Sequence, residues 1–130
     1  MAQNKTLASG IYYVGQKTDS SLTLSNSTDT VFINPTPIIT LKDFKLVRVI
    51  KGDFGTYAIE IVLNESSAQK FEIATEKWIG KRLAMVVDGK LTMAPTVQSK
   101  ITGGRLSISS SMTKAEAKEM KRLLEMEMKK

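Results

Sequence analysis

The 130-residue chain is predicted to be an α+β domain, an antiparallel sheet of hairpins with two helices packed on one face. Three observations predict this. Strand-like runs at 57–63 and 83–87 alternate large apolar residues with their neighbours at period two. Asp88-Gly89, between two such runs, is a strong two-residue hairpin signal. Two stretches, entered at Asn64 and Thr113, repeat apolar residues at spacings of three and four, the signature of a helix with one buried face. Hairpins with only two helices fit a layered α+β arrangement and not a parallel sheet with crossover helices.

Taken in order, residues 1–10 read as a tail. Gly10-Ile11-Tyr12-Tyr13-Val14-Gly15 is short, aromatic and β-branched, which suits a strand. Residues 18–30 are rich in Ser, Thr and Asn, with Leu22 and Leu24 alternating against polar neighbours. That stretch is either an exposed edge hairpin or a mobile loop. Val31-Phe32-Ile33 is a strand halted by Asn34-Pro35-Thr36-Pro37, where the prolines keep the link extended and poor in hydrogen-bond donors. Strands at 46–51 and 57–63 should pair as a hairpin, because Lys51-Gly52-Asp53-Phe54-Gly55 between them is turn chemistry.

Asn64 is placed to cap a helix on which Ala68, Phe71, Thr75 and Trp78 fall on one stripe facing the sheet. Gly80 sits where a left-handed C-terminal cap is wanted. Trp78, the only tryptophan, is read on that stripe as a packing residue ahead of a ligand-stacking platform. Beyond it, 83–87 turns through Asp88-Gly89 into 90–93, which Pro95 ends because proline cannot donate to a ladder. Gly103-Gly104 frees the backbone to turn into an alternating strand at 105–109. Thr113 and Glu116 form a capping box, with Met112 placed to staple onto Ala117. Met120, Leu124 and Met128 continue the apolar stripe of this second helix.

Composition excludes more chemistry than any motif adds. There is no cysteine and no histidine, so thiol nucleophiles, His-based triads and Cys/His zinc sites are impossible. No apolar run approaches the roughly 18 residues of a membrane span. A net charge of +6 permits phosphates, acidic surfaces or acidic proteins as partners, although a merely soluble basic surface is the first reading of it. Gly103-Gly104-Arg105 after Lys100 is not a phosphate-binding loop, because its glycines precede a strand and no helix N-terminus follows. Asp43, Asp53, Glu60, Glu65 and Asp88 are scattered and do not pair for acid–base work. The neighbouring Ser67/Lys70 and Ser99/Lys100 lack any supporting signature. No catalytic residue, cofactor site or metal site is read from the sequence, and the chain is not expected to be an enzyme. Nor does any strand carry the aromatic and basic run of an RNA-binding sheet.

The ordered residues Ala68…Lys70-Phe71…Thr75…Gly80-Lys81…Leu83-Ala84…Val87-Asp88-Gly89…Ala94-Pro95…Ile101…Gly103-Gly104…Ile108-Ser109…Thr113…Glu116-Ala117 resemble a known family. They are similar to the head of the first periplasmic domain of the SecD and SecDF preprotein-translocation proteins, over about residues 41–125. Met93 and Ser110 depart from the family's usual serine and glycine, and residues 1–37 do not match what precedes the head. The resemblance implies a head-like domain at 38–130 behind an N-terminal extension at 1–37 with short strands and a Ser/Thr-rich loop. It further implies a non-enzymatic, periplasmic or otherwise extracytoplasmic module that binds unfolded or exported polypeptide and assists protein export. Ala2-Gln3-Asn4 would suit a mature end after signal cleavage. A basic nucleic-acid-binding α+β domain is the alternative, motivated by charge alone.

The residues expected to touch a partner are Gln98 and Lys100, in a polar loop at 96–102 that should stand off the sheet, and then the exposed face around Arg82, Lys90 and Arg105. Asp88, Gly89, Pro95, Gly103 and Gly104 are expected to shape turns only.

Overall fold

A computed structural model describes residues 7–18, 21–26 and 29–129. Residues 1–6 of the polar start, which include Ala2-Gln3-Asn4, residues 19–20 and 27–28 of the Ser/Thr-rich stretch, and Lys130 lie outside them. The class is α+β as expected, but the strands divide between two antiparallel sheets where a single one was predicted. Alternation along a strand reports which face is buried. It does not report which strand lies beside it across a long connection.

The chain separates into two compact units. One comprises the described residues of Met1–Thr40 with Ile73–Lys100, the other Leu41–Glu72 with the described part of Ile101–Lys130. This line differs from the boundary at 37/38 drawn from sequence, and the physical reason is strand pairing. The strand β1 (Gly10–Gly15) pairs along Gly10, Ile11, Tyr12 and Tyr13 with Val86, Met85, Ala84 and Leu83 of β7 (Leu83–Val87). Residues upstream of 37 are therefore sheet partners of residues far downstream.

In the first unit the order is β2 (Leu22–Ser25), β3 (Thr30–Ile33), β1, β7 and β8 (Lys90–Met93), with the short β4 (Ile39–Thr40) also on β1. Of the two readings for 18–30, the hairpin is observed: β2 and β3 pair from Leu22↔Ile33 to Ser25↔Thr30, and the Asn26 N–H donates to the Asp29 carbonyl at 2.9 Å. The edge strand β2 approaches the opposite edge β8, so the sheet curls on itself. Tyr12, Leu24, Val31, Ile33, Ala84, Val86 and Leu91 fill its interior. The β7–β8 turn is as predicted: Asp88 and Gly89 both adopt positive φ, 54° and 75°, the geometry whose twist matches that of the flanking strands.

In the second unit β6 (Tyr57–Leu63) lies between β5 (Phe44–Lys51) and β9 (Arg105–Met112). Ile59, Ile61 and Leu63 are buried on the face that period two predicts. The helix α2 (Lys114–Met128) packs on β5 and β6 and starts with the predicted capping box. The Glu116 N–H donates to Thr113 Oγ1 at 3.1 Å, and the Thr113 N–H donates to Glu116 Oε1 at 2.8 Å. Met112 and Ala117, the staple positions, are both buried.

The helix α1 (Glu65–Lys77) begins as expected on Asn64, whose side-chain oxygen accepts from the Ser67 N–H at 2.9 Å. Its anchorage is reinforced at Asp43, where Ser67 Oγ donates to the carboxylate at 2.5 Å and the Asn64 N–H donates to the carbonyl at 2.9 Å. Phe71 and Thr75 are buried as the stripe requires. The helix ends at Lys77, and Gly80 turns the chain at φ 86°.

The β5–β6 turn contains an exception to local preference. Phe54 occupies left-handed backbone, φ 55° and ψ 36°, with its side chain fully exposed at 101%. A non-glycine residue there sustains a steric cost of order 1–2 kcal/mol, and Phe54 recovers none of it by burial. Replacing Phe54 with asparagine, which tolerates this conformation, is therefore expected to raise the unfolding free energy by up to about 1 kcal/mol. Urea denaturation would check this, and a loss of stability would mean the ring has an intramolecular packing role.

Candidate functional site

Within the first unit, the end of β1, the end of β3 and the turn after α1 enclose a groove of about 540 Å³. Its aromatic and apolar walls are Tyr13, Phe32, Ile33, Pro35 and Trp78, and its rim is Gln16, Thr18, Ser21, Asn34 and Thr36, with Gly15 completing the lining. Every described lining residue is uncharged, in a chain of which 25% is charged. Such a lining offers contact to neutral surface and no fixed charge to bind an ion or a phosphate.

Trp78 is the residue whose position departs most from expectation. It lies one residue beyond α1 and is only partly buried, so it does not continue the core stripe through Phe71 and Thr75. Its ring meets Tyr13 with centroids 4.4 Å apart at a tilt of 47°, a close contact at the short edge of the range for aromatic pairs. The indole Nε1–H donates to the Arg82 carbonyl at 2.8 Å, so its one polar atom is already bonded. The ammonium of Lys81 stands 4.4 Å from the ring centroid, a cation–π contact. Trp78 is thus positioned by Tyr13 and by the Arg82 carbonyl, and it still lines the groove.

The polar rim is equally braced. The Asn34 N–H donates to the Tyr13 carbonyl at 3.0 Å, and the Thr36 N–H donates to Asn34 Oδ1 at 2.9 Å. On the other side the Thr18 N–H donates to Ser21 Oγ at 3.0 Å, and that hydroxyl donates back to the Thr18 carbonyl at 2.9 Å. A site whose walls are fixed before binding loses less entropy on taking a ligand.

Beside the groove, Arg82 ties three segments together. Its Nε donates to the Ala94 carbonyl at 2.9 Å, its guanidinium pairs with Asp29 beyond β2, and its carbonyl accepts from Val14 as well as from Trp78. The hydrogen bond from Arg82, followed by its charge, holds the Asp29 carboxyl below the ordinary aspartate value. A carboxyl depressed in the folded state contributes stability above its unfolded pKa, about 3.9, and that contribution is lost as pH falls through the folded value. Thermal melts from neutral to strongly acidic pH should therefore show a steeper acid loss in the parent than in Asp29→Asn. The comparison must be made as a difference, because Glu119, lowered by Arg122, titrates in the same window. Parallel pH profiles would mean the pair contributes nothing.

None of the residues expected from sequence to contact a partner lines this groove. Lys90, Gln98 and Lys100 are exposed in the same unit, with Lys100 Nζ 4.0 Å from Glu76. Arg82 is half-buried and engaged as described. Arg105 belongs to the other unit, 3.6 Å from Glu60. The loop at 96–102 does not stand wholly off the sheet: Thr96 bridges to Arg82, and buried Val97 exchanges backbone hydrogen bonds with Lys81 and Gly80 at 2.8 and 2.9 Å.

Asp88, Gly89, Gly103 and Gly104 are turn residues as expected, and β8 stops at Met93. Pairing does not end at Pro95, however: its carbonyl accepts from the Leu83 N–H at 3.0 Å, and Thr96 bridges to Arg82 beyond it. Gly104, at φ 69°, also lets the chain pass close to α1, since an added Cβ would lie 2.6 Å from the Cβ of Ala68. The depression beside Gly103 is lined by Glu65 and Glu72 as well as Lys45 and Arg105, which is no cradle for phosphate. Among the described residues no cluster of Asp or Glu is arranged to hold a metal, and no helix is long and apolar enough to cross a membrane.

Fold and groove together define a class: an α+β module with an aromatic groove whose described lining carries no charge. The chain belongs to the SecDF family, matching its P1 head subdomain over residues 16–127. It is 36% identical over 84 residues to the protein translocase subunit SecDF of Thermus thermophilus, which covers 65% of this chain and 11% of that protein. It is 37% identical over 92 residues to the protein translocase subunit SecD of Aquifex aeolicus, covering 71% of this chain and 18% of that one. The chain thus spans under a fifth of the length of these relatives. Among solved structures, SecDF in its super-membrane-facing form superposes with a TM-score of 0.71 at 27% identity, over 88% of this chain and 18% of that one. A structure of SecDF described as a membrane component that enhances protein export gives 0.63 at 26%, over 88% and 60% respectively.

Proposed function

We propose that the chain is a non-enzymatic, extracytoplasmic head module that contacts unfolded polypeptide during protein export, and that the groove at Tyr13, Phe32, Pro35 and Trp78 is where it does so. The observation that carries the reading is the groove's lining: aromatic walls, a braced polar rim and, among the described residues, no charge. An extended chain is neutral along its backbone and variable in its side chains, so a surface that holds many sequences gains from aromatic contact and adaptable polar groups. Membership of the SecDF family supports the setting. A nucleic-acid reading fits the groove poorly, because phosphate contacts require basic side chains at the site.

The test is a titration of labelled, permanently unfolded protein, followed by anisotropy. Saturable binding is expected, weakened little between about 50 and 200 mM salt, where nucleic-acid binders lose orders of magnitude in affinity. Trp78→Ala and Phe32→Ala should each weaken it several-fold, while Lys100→Ala should not. Binding indifferent to both groove substitutions would place the site elsewhere. A steep salt dependence with nucleic acid as the better ligand would replace the reading.

A further inference from the structure

Resting on the reading above, we infer that the groove accepts extended segments bearing neutral aromatic or branched-aliphatic side chains, and that Lys81 sets this preference by rejecting basic ones. Two observations carry it. Among the described residues the lining provides Tyr13, Phe32, Pro35 and Trp78 as apolar contact and no carboxylate to neutralise an incoming lysine or arginine. An aromatic surface without carboxylates would ordinarily still attract cations, because the negative face of an indole binds them. Here that attraction is already taken up within the protein. The ammonium of Lys81 lies 4.4 Å from the Trp78 centroid, although Lys81 is not among the residues lining the groove.

A second cation brought against the same indole would meet a ring whose quadrupole is engaged and a like charge within several ångströms. Solvent around the exposed ammonium reduces that repulsion, but at a separation well within the Debye length of about 8 Å it does not abolish it. A phenylalanine or leucine side chain meets neither penalty and gains the burial of its apolar surface. Lys81 is exposed, and its backbone N–H and carbonyl, which bond Trp78 and Val97, do not depend on its side chain. Its ammonium can therefore be removed without unbuilding the groove.

The experiment uses a set of Gly/Ser host peptides with one central Phe, Leu, Glu or Arg, together with the unfolded protein of the previous test. Binding is read by fluorescence of Trp78, the chain's only tryptophan, in the parent and in Lys81→Gln. In the parent, the Phe and Leu peptides should bind at least about tenfold more tightly than the Arg peptide, the scale of one well-placed apolar side chain. Lys81→Gln should tighten the Arg peptide several-fold and leave the Phe and Leu peptides within about twofold, with an unchanged melting temperature. Equal affinity for all peptides in the parent, or a Lys81→Gln effect of the same size on every peptide, would overturn the inference while leaving polypeptide contact intact. Failure of every peptide and of the unfolded protein to bind would overturn both.

Discussion

Truncating Phe71 to alanine is expected to cost about 3–5 kcal/mol of unfolding free energy, the range for a large aromatic removed from a core. Phe71 is 1% exposed, so its ring contributes its full apolar area, and the cavity left behind adds to the lost transfer energy. The site has little freedom to collapse. The N-terminus of α1 is tied to Asp43 through both the Asn64 backbone and the Ser67 hydroxyl, and Gly104 packs against Ala68 one turn before Phe71. Urea unfolding followed by circular dichroism would measure the loss. Stability close to the parent would mean that α1 relaxes onto its surroundings far more readily than these ties allow.

Gly10→Ala is expected to destabilise by about 3 kcal/mol or more, beyond the usual range for adding one methyl group. A Cβ at residue 10 would lie 2.1 Å from the Ile39 carbonyl oxygen and 3.2 Å from both the Ile39 carbonyl carbon and the Thr40 Cα. All three are backbone atoms of β4, so no side chain can swing aside, and β4 must leave its pairing with β1. Gly15→Ala is the matched control at the other end of the same strand, with nothing within 4 Å of an added Cβ. It should stay within about 0.5 kcal/mol of the parent. Equal effects at the two positions would mean that β4 is not held where the strand pairing places it.

The features legible in the sequence were those written in a few adjacent residues. Asp88-Gly89 encodes a turn because its two positive φ angles are a local demand. Thr113 and Glu116 announce a helix start because each bonds the other's backbone across three positions. The hairpin of β5 and β6 follows from alternation and turn composition alone.

What stayed hidden depended on residues distant in sequence. The spacing from Phe71 through Thr75 to Trp78 suits one helical stripe, but the helix stops at Lys77 and Trp78 turns instead toward Tyr13, 65 positions upstream. Nothing within a window around either residue reports that approach. The same is true of Arg82, placed on an exposed face beside Lys90 and Arg105, whereas Asp29 and the Ala94 carbonyl engage it. The groove's clearest local trace was Asn34-Pro35-Thr36-Pro37, legible as an extended, donor-poor link but not as the wall of a site. The contact expectation rested on the polar loop at 96–102 and the face around Lys90 and Arg105, whereas the described lining of the groove comes from neither.

The most direct measurement is a map of backbone-amide and indole NMR shifts on the ¹⁵N-labelled protein, titrated with unfolded polypeptide. The indole N–H of Trp78 and the amides of Tyr13, Phe32, Asn34 and Thr36 are expected to move together and saturate at one common affinity. Shifts confined to the surroundings of Gln98 and Lys100, or of Lys90 and Arg105, with the Trp78 indole unmoved, would contradict the assignment of polypeptide contact to the aromatic groove.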